Sequence, residues 1–248
     1  VPFLTAGACS VQACAAPLTL RSAHAMDLSL DLRDLQRLVA LGEGLTIEFK
    51  RRVPRPERIA KEVIALANTQ GGKLLLGVDD DGTIKGVRDA HEEAFALRQA
   101  IAEHTRPLVP FDVVAVPVSR RREVLIVDVP ESASKPHYLV TTNAEGRASK
   151  TAYVRVDEQS IEASREVIRV MKAEQNPTNT RFEFGDKEQQ LMQYLDRYER
   201  ITVAQFSKLA GVSLASAAQT LVLLTRASIL ALHPDEKADY WTLAYDVV

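Results

Sequence analysis

The chain has 248 residues, 46% of them hydrophobic and 26% charged, which are ordinary values for a folded globular protein. This length holds one medium domain and one small one, and the composition speaks against a fibre or a wholly disordered chain. A formal charge of −2 excludes a uniformly basic surface, so a polyanion would have to be met by local patches.

Residues 1–25 are rich in alanine and lack acids, and Ala23-His24-Ala25 before Met26 resembles a signal-peptide cleavage site. A positive n-region is missing, and Gln12 and Pro17 break the apolar stretch. The expectation is a disordered extension at 1–25, with Met26 as a natural start. Both cysteines, Cys9 and Cys14, fall in this extension, without the second pair or the histidines of a zinc site. A body without cysteine fits a reducing cytoplasm. No apolar run reaches the roughly 18 residues of a membrane span, so no membrane association is expected.

Leu32, Leu35, Leu38 and Val39 recur at helical spacing and predict a first helix that stops at Gly42-Glu43-Gly44. Leu45 to Lys50 alternates as a half-buried strand. Pro54 and Pro56 permit a helix start, and Ile59, Val63, Ile64 and Ala67 line one face of a helix to Asn68. Gly71-Gly72 reads as its stop, and residues 73–78 as a buried strand. Asp81-Gly82 is a turn, with a return strand from Thr83 to Val87. Helical spacing returns at Phe95, Leu97, Ile101 and Ala102. Phe111–Val118 and Val124–Val129 form a hairpin around Arg120-Arg121-Arg122. A looser loop with Pro130, Pro136 and Gly146 precedes a strand from Ala152 to Val156 and a helix from Ile161 to Met171. After a polar linker come three helices, 186–198, 203–209 and 213–226, and a β-wing ending at residues 240–243. That order is the one of a winged helix-turn-helix.

Period-two geometry places Glu48 and Lys50 on one face of their strand, with Ile47 and Phe49 on the other. Such a pair can hold a divalent cation with the acid while the lysine neutralises a phosphate. Glu43, in the preceding turn, and Asp79, after the strand at 73–78, can add two carboxylates. The plainer alternative is an exposed acid and lysine beside an ordinary Asp-rich turn. Lys50, Arg51, Arg52, Arg55, Arg58 and Lys61 form one basic run and Arg120, Arg121 and Arg122 another; each is either a binding patch or a solvated surface. The five histidines are scattered, and their spacing supports no hydrolase triad.

The run 42–50 (GEGLTIEFK), then 65–72 (ALANTQGG), then 76–82 (LGVDDDG) resembles the signature of the Schlafen AlbA-like family. Lys135-Pro136-His137-Tyr138 and Tyr153-Val154-Arg155-Val156 sit where that family has a lysine-proline-aromatic segment and a tyrosine-x-arginine strand. The resemblance spans roughly residues 43–173. It implies nucleic-acid binding, to RNA or DNA, and in the Schlafen branch a metal-dependent endoribonuclease with two glutamates and an aspartate. Carried over, these are Glu43, Glu48 and Asp79, with Mg²⁺ or Mn²⁺ as the metal and Lys50 as the family's lysine. With one lobe in the chain, the resemblance also implies a homodimer. Bacterial members of this kind are regarded as DNA-binding transcriptional regulators, which is the non-catalytic alternative.

The expected fold is α+β: an AlbA-like mixed β-sheet domain with packed helices at 26–173, a linker at 174–185 and a winged helix-turn-helix domain at 186–248. Nucleic-acid contacts are expected from Lys50, Arg51, Arg52, Arg55, Arg58, Lys61, Arg120, Arg121, Arg122 and Arg155. No nucleotide cofactor is expected, because Gly71-Gly72-Lys73 lacks P-loop spacing and precedes a strand. Residues 181–248 hold seven Lys or Arg against nine Asp or Glu, and the recognition-helix segment has no lysine. Phosphate neutralisation supplies most non-specific affinity, so this module reads better as a protein-interaction or dimerising element.

Overall fold

A computed structural model describes residues 21–22, 30–142, 146–175 and 184–244. The expected extension at 1–25 lies outside these residues except for a two-residue strand, β1 (Arg21–Ser22), as does most of the expected linker. The fold is α+β, as the sequence predicts. Helix α1 (Leu32–Ala40) begins at a reciprocal cap in which Asp31 accepts from the backbone of Arg33 and Asp34. Strand β2 (Ile47–Lys50) leads to α2 (Pro56–Asn68), which starts on Pro56, where the missing N–H costs nothing. Strand β3 (Gly71–Leu76) follows, then α3 (Ala90–His104) and the short β4 (Thr105–Arg106). The long hairpin is β5 (Asp112–Ser119) and β6 (Arg122–Pro130). Strands β7 (Tyr138–Thr142), β8 (Ala148–Val156) and β9 (Gln159–Glu162) precede α4 (Arg165–Gln175).

Two sheets result. One has the order β1-β5-β6-β3-β2, with β2 parallel to β3 and β3 antiparallel to β6. The other has the order β4-β7-β8-β9. Alternation along the strands of the first sheet supplies two cores. Ile47, Phe49, Leu75, Val116 and Ile126 meet Leu35 of α1 on one face, while Leu74, Leu76, Leu125 and Val127 meet α2 and α3 on the other. Helix α2 therefore lies between the sheets, and its contact with β8 brings the second sheet close to β2.

Several elements differ from their expectation. The segment 83–87 makes only the isolated bridges Val78–Ile84 and Val87–Glu123. It doubles back on Gly77, whose carbonyl accepts from both Lys85 and Gly86, and so cannot run as a strand. Ile161 belongs to a strand, and α4 starts only at Arg165, where Ser164 accepts from the backbone of Val167. Strand β7 replaces part of the expected loop, pairing with an extended β8. Gly71 and Gly72 stand inside β3 rather than between helix and strand.

The C-terminal elements are α5 (Asp186–Tyr198), α6 (Val203–Ala210), α7 (Leu214–Arg226) and the antiparallel ribbon β10 (Leu230–His233) and β11 (Tyr240–Leu243). They close on their own core around Trp241, Phe206, Leu191 and Leu221. Gly211 in the left-handed conformation ends α6, and α6 and α7 meet at 110°. Helix α4 packs on α7, and Leu232 of the ribbon packs beside Met171 and Val167. Among the described residues no single helix is long and apolar enough to cross a membrane.

Candidate functional site

The strand period sends Glu48 and Lys50 towards α2 and β8, where both meet charged partners. Lys50 Nζ donates to Glu48 Oε1 and, at 2.8 Å, to the Phe49 carbonyl. Arg155 Nη1 on β8 donates to Glu48 Oε2 at 2.7 Å and to Glu62 Oε2 of α2 at 3.3 Å. Its Nη2 donates to the Gly44 carbonyl at 2.6 Å, and Ser160 Oγ donates to Glu62 at 2.5 Å. Two acids and two cations thus neutralise one another between the sheets. The face read from sequence as exposed is closed: Glu48 is only 5% accessible.

Glu43 takes a different place. Its Oε1 accepts from the Phe49 backbone N–H at 2.8 Å and so caps the open edge of β2. Burial pushes its carboxyl above the usual range, opposed by the Phe49 hydrogen bond, and Glu48 and Asp80 push in the same upward direction. Asp79 closes the turn after β3, its N–H donating to Thr83 O at 3.0 Å and its carbonyl accepting from Gly82. Its Oδ1 is buried without a hydrogen bond, and Arg51 Nε stands 3.7 Å away, within reach of an ion pair but too far for a hydrogen bond.

A divalent metal needs several oxygen ligands whose lone pairs converge. As arranged, both Glu48 oxygens face cations, one Glu43 oxygen faces an N–H, and among the described residues no three His, Cys, Asp or Glu side chains gather into a metal-binding group. The donor set in this arrangement does not fit a metal.

Arg155, expected among the nucleic-acid contacts, is corrected by the structure. Its side chain is 0% exposed, and the donors on its Nη1 and Nη2 go to protein groups. Asn68 and Thr69 of the 65–72 motif are equally structural. The Asn68 carboxamide donates to the carbonyls of His137 and Tyr153 and accepts from His137 N–H, while Thr69 Oγ1 accepts from Arg155 N–H. A Cβ on Gly72 would lie 2.4 Å from the Thr46 carbonyl, so the glycine permits a close strand approach, not a phosphate contact.

The basic residues divide in two. The register aligns Lys50 with Leu76 and Leu76 with Leu125, so β2, β3 and the β5–β6 turn finish at the same end of the sheet. Arg51 and Arg52 leave β2 there, Lys85 and Arg88 lie in the loop after β3, and Arg120 and Arg121 form the hairpin turn; all six are exposed. Arg122 is half-buried and braced, donating to the Gly86 carbonyl at 2.9 Å. Arg55 and Arg58, exposed at the start of α2, and Lys61, stacked over Tyr153 at 5.2 Å, lie outside this rim. Lys85 and Arg88 escaped the sequence reading because isolated cations carry no pattern until the loop brings them beside the hairpin.

A family model described as Schlafen, AlbA_2 matches residues 43–164. Among solved structures, the chain is similar to the N-terminal domain of a RecG-related protein from Nitrosomonas europaea, with 30% identity, 53% of this chain and 88% of that one covered, and a TM-score of 0.38. It is also similar to the DIP2311 protein from Corynebacterium diphtheriae, with 24% identity and a TM-score of 0.37, over 53% of this chain. The matched part spans only 27% of that second protein. Residues 43–164 of the chain thus constitute a domain of the Schlafen AlbA_2 family.

Proposed function

We propose that the protein binds nucleic acid across the end of the five-stranded sheet where β2 and β3 finish. The observation that carries this is the gathering of Arg51, Arg52, Lys85, Arg88, Arg120 and Arg121 on one rim of a chain whose formal charge is −2. Membership of the matched segment in the Schlafen AlbA_2 family supports the same reading. From β2 to β5 the rim crosses three strand gaps of about 4.8 Å each, roughly 14 Å, enough to engage more than one phosphate. Guanidinium groups suit this task because their planar forks match phosphate oxygens in pairs.

In this reading the protein binds without cutting. Glu48 serves as the hub of an ion-pair brace, and its lone pairs are not available to a metal. The C-terminal helices act as a docking module and not as a second reader. Helix α7 buries its apolar face in the C-terminal core, its exposed positions Leu214, Ala215 and Gln219 carry no charge, and its one cation is Arg226 at its last turn.

The deciding experiment incubates the full chain with duplex DNA and with structured RNA, in EDTA and in Mn²⁺, following both affinity and strand integrity. Expected are binding insensitive to chelator and intact strands in every condition. Mn²⁺-dependent cleavage lost in Glu48→Gln would overturn the non-catalytic reading and return Glu43, Glu48 and Asp79 to the metal.

A further inference from the structure

We propose that the cleft beside the β5–β6 turn receives a phosphorylated strand end, a 5′ mono- or polyphosphate, and not an internal phosphodiester. The strand itself rests on the nucleic-acid reading above, while its end rests on the geometry of the cleft. Arg88, Arg120, Arg121 and Arg122 line a half-open cleft of about 860 Å³ with Ser119 and a single acid, Glu123. Among the described residues Arg88, Arg120 and Arg121 form no ion pair.

Four guanidiniums against one carboxylate are more charge than one backbone phosphate can match, since an internal phosphodiester brings a single negative charge. A phosphomonoester brings about −1.5 to −2 and three strong acceptor oxygens, and a polyphosphate brings more. The concave arrangement favours a ligand that enters end-on over one that passes along a rim.

The cleft is also pre-organised. Arg122 Nη1 donates to the carbonyls of Gly86 and Lys85, at 2.9 and 3.4 Å, which fixes the guanidinium plane and leaves Nε and Nη2 for a ligand. That approach depends on Gly86, with φ +67°, where a Cβ would lie 2.7 Å from Val118 Cγ2 and 2.8 Å from Arg122 Cβ. A loop held this close, with like charges crowded around it, is arranged for an anion before the anion arrives. Arg51 and Arg52, farther along the same rim, would then follow the strand inward from its end.

A free nucleoside triphosphate shares this chemistry, and the test separates the two. Anisotropy of the full chain is measured with one short strand carrying a 5′-hydroxyl, a 5′-monophosphate or a 5′-triphosphate, with ATP as competitor. The triphosphate strand is expected to bind at least about tenfold tighter than the hydroxyl strand. Arg120→Gln with Arg121→Gln should erase that preference, whereas Arg51→Gln with Arg52→Gln should weaken all three strands alike. Equal affinity for the three ends in the unaltered protein would sink end recognition while leaving nucleic-acid binding intact. Competition by ATP at the concentration where the triphosphate strand binds would assign the cleft to free nucleotide instead. Failure of every strand to bind would remove both readings.

Discussion

Arg155 Nη1 lies 2.7 Å from Glu48 Oε2, and this single contact joins β8 of one sheet to β2 of the other across residues 107 positions apart in sequence. Both side chains are buried, with Glu62 and Lys50 completing a neutral set. Removing one member strands a buried charge, which costs about 3–5 kcal/mol. Arg155→Ala should lose stability on that scale in urea denaturation. The pair Glu48→Gln with Arg155→Met should lose less than the sum of the single changes, because the two fully buried charges leave together and the ions that remain, Lys50 and Glu62, are the partly exposed members of the set. Additive losses would mean that the contact is incidental to the fold.

Asn68 offers a separate measure of how the sheets are held. Its carboxamide satisfies the His137 N–H and carbonyl and the Tyr153 carbonyl, all on the second sheet or its approach. Asn68→Ala leaves these backbone groups without a partner in a site that is 3% accessible, at a cost of about 2–4 kcal/mol. Asn68→Asp keeps the acceptor but sets a second oxygen against the His137 and Tyr153 carbonyls in a buried site, and should cost at least as much as Asn68→Ala. A loss for Asn68→Ala below about 1 kcal/mol would show that water replaces the carboxamide.

Much of this architecture is legible in the sequence, and the failures have a common cause. Helix α2, the hairpin β5–β6 and the pairing of Glu48 with Lys50 on one strand face follow from periodicity, which is a local property. What periodicity misses is what covers each face. Leu45 to Lys50 reads as half-buried because Glu48 and Lys50 are charged, yet Arg155 arrives from more than a hundred residues away and makes burial tolerable. In the same way Arg155 reads as a phosphate ligand until its partners are known. Gly71 and Gly72 read as a helix stop because a sequence does not show that the Thr46 and Val129 carbonyls press against them. The three acids are individually visible, but whether they converge depends on three separate turns.

His137 makes stability depend on pH. Burial pushes its imidazole below the ordinary value of 6.5, opposed by the Pro107 carbonyl at Nδ1, while Nε2 faces Ser132 Oγ at 2.6 Å. On acidification the unfolded chain takes up this proton first, near 6.5, while the folded protein stays neutral at the ring. Stability is therefore complete above that value and is lost as pH falls from it towards the lowered folded value. Urea denaturation at a series of pH values should show this loss in the unaltered protein, and His137→Gln should flatten it. An identical slope in both proteins would place the acid sensitivity elsewhere.

Salt provides the sharpest test of the rim itself. Each phosphate neutralised on a duplex contributes about −0.9 to the slope of log affinity against log salt. If the cations on the rim engage about four phosphates, the slope should lie near −4, far steeper than the chain's formal charge of −2 would lead one to expect. Changing Arg51 or Arg52 to Gln should make that slope shallower by about one each, with affinity falling alike for unrelated sequences. Arg226→Gln and Gln219→Ala on α7 should leave both slope and affinity where they were, because α7 belongs to the C-terminal core and its one cation is Arg226 in the last turn. If instead the α7 changes flatten the slope and the rim changes do not, the C-terminal module is the reader, and the arginines at the end of the sheet are solvated surface.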